Sequence, residues 1–229
     1  MENEPLLETA RLLAERLRPG DLDATLSQVT AAAVELIPAV DYSSISIRRA
    51  DGTLSTAAPT DDLLLRVDAE QYRLQEGPCY QAAAEDTHVV SSDLAEDERF
   101  PSYGPMAAAE GLRSQIGLRL FDTPKSSGAL NLYSTAPRAF EDLAPLSALF
   151  AHQAGLAISY AAHIGTLEEA VRSRTTIGQA VGMVMERYNL NDERAFAFLK
   201  RLSSHRNVKL RLVAQELVEE TERTGQQLR

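Results

Sequence analysis

Tryptophan is absent from this 229-residue sequence, cysteine occurs once and histidine four times. The single cysteine, Cys79, excludes an internal disulfide and any zinc site built from paired thiolates. His88, His152, His163 and His205 are scattered, with no HExxH or comparable spacing, so no metal site is expected. No apolar run approaches the roughly 18–20 residues of a membrane span. The opening MENEPLLETARLL is acidic and lacks the basic stretch that begins a secretory signal. No P-loop, CxxC or Ser/His/Asp order is present. A cytoplasmic protein, without membrane contact and with no evident cofactor, is expected.

Positive charge is also scarce, but unevenly so. The formal net charge is −10. Residues 1–171 hold 12 Lys and Arg against 26 Asp and Glu, whereas residues 172–212 hold nine against three. The densest stretch, KRLSSHRNVKLR at 200–211, contains Lys200, Arg201, Arg206, Lys209 and Arg211 and no acid. Such asymmetry points to two modules with different partners, unless the basic part docks on the acidic one.

The periodicities divide the same way. Leu6, Leu7, Ala10, Leu13, Ala14 and Leu17 predict a helix ended by Pro19-Gly20. Asp21 is placed to cap a second helix over 22–37, closed by Pro38. Period-two alternation in YSSISIRR (42–49), the Asp51-Gly52 turn and TLSTA predict a hairpin. A helix near 60–72 follows, then one opened by Pro78. HVVSS is a short strand, MAAAEGL a helix, and SQIGLRLF and GALNLYS are the two clearest strands. These make an α+β domain: an antiparallel sheet flanked by helices.

Beyond Pro145 there is no further proline and the chain reads as helix. Ala157, Tyr160, Ile164, Leu167 and Val171 follow a heptad seam, which predicts a coiled-coil linker and a parallel homodimer, or else a stripe packed on its own domain. Arg174 breaks the phase; Ile177, Val181, Val184 and Tyr188 resume it. Asn191 caps a helix whose apolar face would be Ala195, Phe196, Phe198, Leu199 and Leu202. Asn207 is expected to cap the last helix, with Leu210, Val213, Ala214, Leu217 and Val218 inside.

The helix dipole accounts for Lys200 and Arg201 in a last turn, but it disfavours Lys209 and Arg211 in a first turn. With the neutral donors Ser203, Ser204 and Asn207, and with His205 able to stack on a base, the cluster reads as a polyanion surface.

The residues around it carry a resemblance. Arg174 before Ile177, then Gln179-Ala180-x-Gly182, Met185-Glu186-Arg187-Tyr188, Ala195-Phe196, Leu199, Ser203, Asn207, Lys209-Leu210 and Val213-Ala214 resemble the ANTAR module over about 166–222. That module is a three-helix RNA-binding domain of bacterial antitermination regulators. Many members carry Lys where this chain has Val181. EGPCYQA (76–82), SDLAEDERFPSYGPMAAAEGLRS (92–114) and GALNLYSTAPRAF (128–140) resemble a GAF domain.

The implied organisation is a GAF-like sensor with an N-terminal helix over 1–155, a coiled-coil linker over 156–172 and an ANTAR domain over 173–229. The implied function is transcription antitermination through paired stem-loops in nascent leader RNA. Expected RNA-binding residues are Arg174, Lys200, Arg201, Ser203, His205, Arg206, Asn207, Lys209 and Arg211. Arg174 has an alternative role in an ion pair within the dimer, and Ala180 and Gly182 read as close-packing positions.

GAF domains often enclose a small molecule, for which Tyr42, Ser44, Cys79, Ser114, Asn131 and Tyr133 are pocket candidates or ordinary core and surface residues. A sulfoxide reductase of GAF type needs a resolving thiol, which this sequence lacks. A protein-interaction module whose helical tail only dimerises is the remaining alternative.

Overall fold

The computed structural model describes residues 11–12, 15–17, 20–85, 88–124, 126–141 and 143–227. Most of the expected first helix lies outside the described residues. The chain forms two compact units, Met1–His163 and Ile164–Arg229.

The first unit is α+β. Helix α1 (Leu22–Leu36) begins where Asp21 accepts a hydrogen bond from the Ala24 amide at 3.3 Å, satisfying a donor that the helix itself cannot. Strands β1 (Tyr42–Arg49) and β2 (Leu54–Ala57) form the expected hairpin. Its turn needs φ +85° at Gly52, and Asp51 accepts from the Thr53 amide at 2.9 Å. Helices α2 (Leu63–Leu74) and α3 (Pro78–Glu85), strand β3 (Val89–Ser91) and helix α4 (Tyr103–Ala109) lead to β4 (Ser114–Asp122) and β5 (Ser126–Ser134). The five strands are antiparallel in the order β2-β1-β5-β4-β3.

Alternation along the strands gives the sheet two differently filled faces. Ile45, Ile116, Leu118, Leu130 and Leu132 point to one side, where they pack with Val29, Ala33 and Ile37 of α1 and with Phe150, Ala154 and Ile158 of helix α5 (Ala144–Tyr188). Ser44, Ser46, Gln115, Asn131 and Tyr133 belong to the alternate positions, roofed by α2, α3 and α4. The α3 roof lies close. A Cβ added at Gly117 would stand 2.5 Å from the Pro78 carbonyl oxygen and 2.8 Å from the Ala82 Cβ. Because the obstacle is backbone, Gly117→Ala is expected to cost about 1–3 kcal/mol by displacing α3, measurable as a lowered urea midpoint.

The second unit is helical: the later part of α5, then α6 (Asp192–Arg206) and α7 (Leu210–Gln227). Asn191 caps α6 by accepting from the Arg194 amide at 3.0 Å. The core is Ala180, Val184, Ala195, Leu199, Val213 and Ala214, with Phe198 and Leu202 at its edge. Two expectations are corrected. Phe196 stands about 100° round the helix from Ala195 and is 43% exposed, so it leaves the apolar face. Asn207 closes α6 rather than opening α7: its backbone is left-handed, φ +52°, and its amide donates to the Ser203 and Ser204 carbonyls.

Candidate functional site

The α6–α7 turn is built by its own small polar residues. Ser203 donates its hydroxyl to the Val208 carbonyl at 2.6 Å, and the Val208 amide donates back to Ser203 at 3.1 Å. The Ser203 hydroxyl therefore holds the turn. Ser204 donates to the Lys200 carbonyl at 3.0 Å. Lys209 takes the position before α7, its carbonyl accepting from the amides of Leu212 and Val213. Helix α6 runs further than expected, so its last turn holds His205 and Arg206 rather than Lys200 and Arg201.

Around this frame Lys200, Arg201, His205, Asn207 and Lys209 are exposed, as is Arg174 on α5. Among the described residues none of the cations Lys200, Arg201, Lys209 and Arg174 has an ion pair. The other two guanidiniums are engaged. Arg206 pairs with Glu216 at 2.7 Å and Arg211 with Glu169 at 2.9 Å, both partly exposed and so worth at most about 1 kcal/mol. Arg211 and Glu169 also line an open groove of about 480 Å³ between α5 and α7.

Val181, in the place of the usual lysine, packs at the edge of the helical core. Ala180 is buried as expected, but Gly182 is exposed with open space where a Cβ would point, so it is not a close-packing position in this chain.

The seam residues divide. Ala157 is 6% exposed and belongs to the core of the first unit, so it is not part of an exposed row. Tyr160, Ile164, Leu167 and Val171 are 61%, 39%, 67% and 64% exposed, at the four-three-four spacing of one helix face.

Within the first unit, Ser44, Asn131, Tyr133 and Cys79 come together as one buried group. Asn131 donates to the Ser44 and Ser46 hydroxyls at 3.0 and 2.9 Å. Tyr42 is half-buried beside the α2–α4 core. Ser114 stands in the alternate position to Gln115 and donates to the Ala136 carbonyl at 2.8 Å, outside the group.

The centre is a residue that the sequence reading missed, Asp68. It accepts from Ser44 at 2.8 Å, Thr56 at 3.0 Å and the Tyr133 hydroxyl. Gln71 accepts from the Cys79 amide at 3.1 Å and from Gln115 at 3.2 Å. A signal was available, because Leu64, Val67, Asp68 and Gln71 follow i, i+3, i+4, i+7 and so share the buried face of α2. Burial pushes the Asp68 carboxyl up to about 6, although three hydroxyls oppose the shift. Burial, and then the nearby Asp68 charge, push the Cys79 thiol well above its ordinary range, which makes it a poor nucleophile.

The family model of the GAF domain matches residues 20–159, and that of the ANTAR domain matches residues 165–218. No curated protein matches the chain. Among solved structures, a free methionine-R-sulfoxide reductase from Neisseria meningitidis is similar at 18% identity, covering 71% of this chain and 90% of its own, with TM-score 0.51. The GAF domain of a phosphoenolpyruvate-protein phosphotransferase from Coxiella burnetii is similar at 16% identity, covering 72% and 99%, with TM-score 0.53. An N-acylhomoserine lactone-dependent transcription factor from Burkholderia cenocepacia is similar at 16% identity, covering 69% and 98%, with TM-score 0.55. At these identities the likeness is one of fold. Among the described residues, no helix is long and apolar enough to cross a membrane.

Proposed function

The chain belongs to the GAF family and continues into an ANTAR domain, and on that basis we propose that it is an RNA-binding antitermination regulator acting on paired stem-loops of nascent leader transcripts, hence in the cytoplasm. The observation that carries this reading is the set of exposed cations without acidic partners among the described residues, Lys200, Arg201 and Lys209, on either side of a hydrogen-bonded turn. Loop bases of a hairpin are unpaired and open to polar and stacking contacts, whereas the deep groove of its stem is not. Asn207, exposed where α6 ends in a left-handed turn, and His205 supply such contacts. Ser203 acts through the turn rather than on the RNA.

The exposed row Tyr160, Ile164, Leu167 and Val171 supports a parallel homodimer along a linker near 156–172. A dimer presents two such turns to two hairpins. The buried group around Asp68 is the place where a small molecule would be read, and there the Asn131 Oδ1 is buried without a hydrogen-bond partner among the described residues.

The role is regulatory rather than catalytic. Reduction of a sulfoxide at Cys79 would need a second thiol to resolve the oxidised sulfur, and this sequence has one cysteine, held with its proton on by burial.

The test is binding of the full chain to an RNA carrying two adjacent stem-loops, beside one stem-loop and an unstructured RNA of equal length. Preference for the paired form is expected. Leu167→Glu should convert the dimer to a monomer in sedimentation and remove that preference, because each Leu leaving an interface forfeits about 1.5–3 kcal/mol. Equal binding of all three RNAs would overturn the reading.

A further inference from the structure

We infer that Phe196 is a stacking platform for one unpaired base of the bound RNA, with Lys200 placed to hold the adjoining phosphate; the inference rests on the RNA-binding reading above.

Helix α6 buries Ala195 and Leu199, and its other aromatic, Phe198, lies against Tyr188 with ring centroids 5.5 Å apart. Phe196 has no such partner among the described residues and remains 43% exposed. On the same side of α6, Lys200 lies one turn further on, about 6 Å along the axis, and Ser203 follows it. Lys200 is exposed and unpaired among the described residues, and the Ser203 hydroxyl is taken by the turn. A flat ring beside a free ammonium fits a base with its phosphate, since every base offers a π-face and every nucleotide a charge.

The acids of the same helix fix a direction. Asp192 and Glu193 precede Phe196 by four and three residues and are exposed. They repel a phosphate at the start of α6, so the strand must leave the platform towards Lys200, Arg201 and Lys209. Polarity along α6 and cations at its end thus describe one path.

The absence of tryptophan makes the test direct, because Phe196→Trp installs the sole indole of the chain. With the two-stem-loop RNA, the Phe196→Trp protein should bind at wild-type affinity and lose indole fluorescence on binding. An abasic site at the contacted loop position should restore the fluorescence. Phe196→Leu should weaken binding by about tenfold or more, the scale of losing one stacked base, while leaving the slope of affinity against salt unchanged. Lys200→Gln should instead flatten that slope by about 0.7, one phosphate on a single strand. Because Phe196 is exposed, neither change at this position should lower the melting temperature. If wild type binds the RNA and Phe196→Leu binds it equally, stacking is overturned and RNA binding stands. If wild type binds no stem-loop RNA, the RNA reading falls and this inference with it.

Discussion

Replacing Lys200, Arg201 and Lys209 together by glutamate is expected to reduce affinity for the two-stem-loop RNA by about a thousandfold or more while changing the melting temperature little. The size follows from the bonds at stake: a hydrogen bond to a charged group contributes about 1.5–3 kcal/mol, and three are lost. The salt dependence should change with it. Each phosphate neutralised on a single strand contributes about 0.7 to the slope, so the variant's slope should be shallower by about 2.

The small effect on stability also has a reason. Lys200 and Arg201 are exposed and lie before the last turn of α6, which holds His205 and Arg206, so little dipole interaction is lost there. A glutamate at position 209, before α7, gains about 0.3–1 kcal/mol. Arg211 is left out of the set because it already pairs with Glu169, and reversing it would set two carboxylates against each other. Wild-type affinity in the triple variant, measured at two salt concentrations, would remove the basic turn from the mechanism.

Where a local rule decides, the sequence was informative. A carboxylate before an amphipathic run caps a helix whatever surrounds it, and Asp21 does so. The same holds for Asn191 before α6 and for Asp51-Gly52 between β1 and β2. The basic cluster was visible for a related reason, since the short turn between α6 and α7 brings the cations on either side of it together.

What escaped depends on long-range packing. Heptad counting places Ala157 and Tyr160 on one stripe. Only the sheet reveals that the alanine, on the flank of that stripe, packs into the first core while the tyrosine does not. Asn207 suits either end of a helix, because asparagine both caps and tolerates φ above zero; the length of α6 settles it. An aromatic beside Ala195 satisfies a broad apolar stripe, so the sequence pattern places Phe196 in the core. The actual stripe is narrower, and Phe198 fills its edge. Asp68 is hard to read from the sequence because an acid within a helix usually marks the wet side. Here its partners come from β1, β2 and β5, up to 65 residues away in sequence.

Asp68 gives the other large expectation, a stability that falls as pH rises through 6 and a strong dependence on the acceptor it provides. Its carboxyl is pushed up by burial from an ordinary value of 3.8 to about 6. The native state therefore holds a proton between those values that the unfolded chain releases, and that proton favours folding. The contribution is complete below about pH 4, declines on the way up and is gone above about pH 6. At roughly 1.4 kcal/mol per unit of pH, the whole span amounts to about 3 kcal/mol.

Other carboxyls act in the opposite sense. Asp41 is held low by the Thr135 amide, Glu76 by the Tyr103 amide and Asp93 by the Arg113 guanidinium, so their contributions are lost as pH falls through their lowered values. Their window lies below that of Asp68, and a comparison of variants between pH 4 and 8 separates the two. Asp68→Asn keeps an acceptor oxygen and cannot ionise, so relative to wild type it should gain about 3 kcal/mol in urea unfolding from pH 4 to pH 8. Asp68→Leu should be far worse at every pH. It leaves the hydroxyls of Ser44, Thr56 and Tyr133 without their acceptor, at about 1–3 kcal/mol each, enough to unfold a domain of ordinary stability. Parallel pH profiles for wild type and Asp68→Asn would mean that this carboxyl does not change its protonation across the range, and that burial does not govern it as argued.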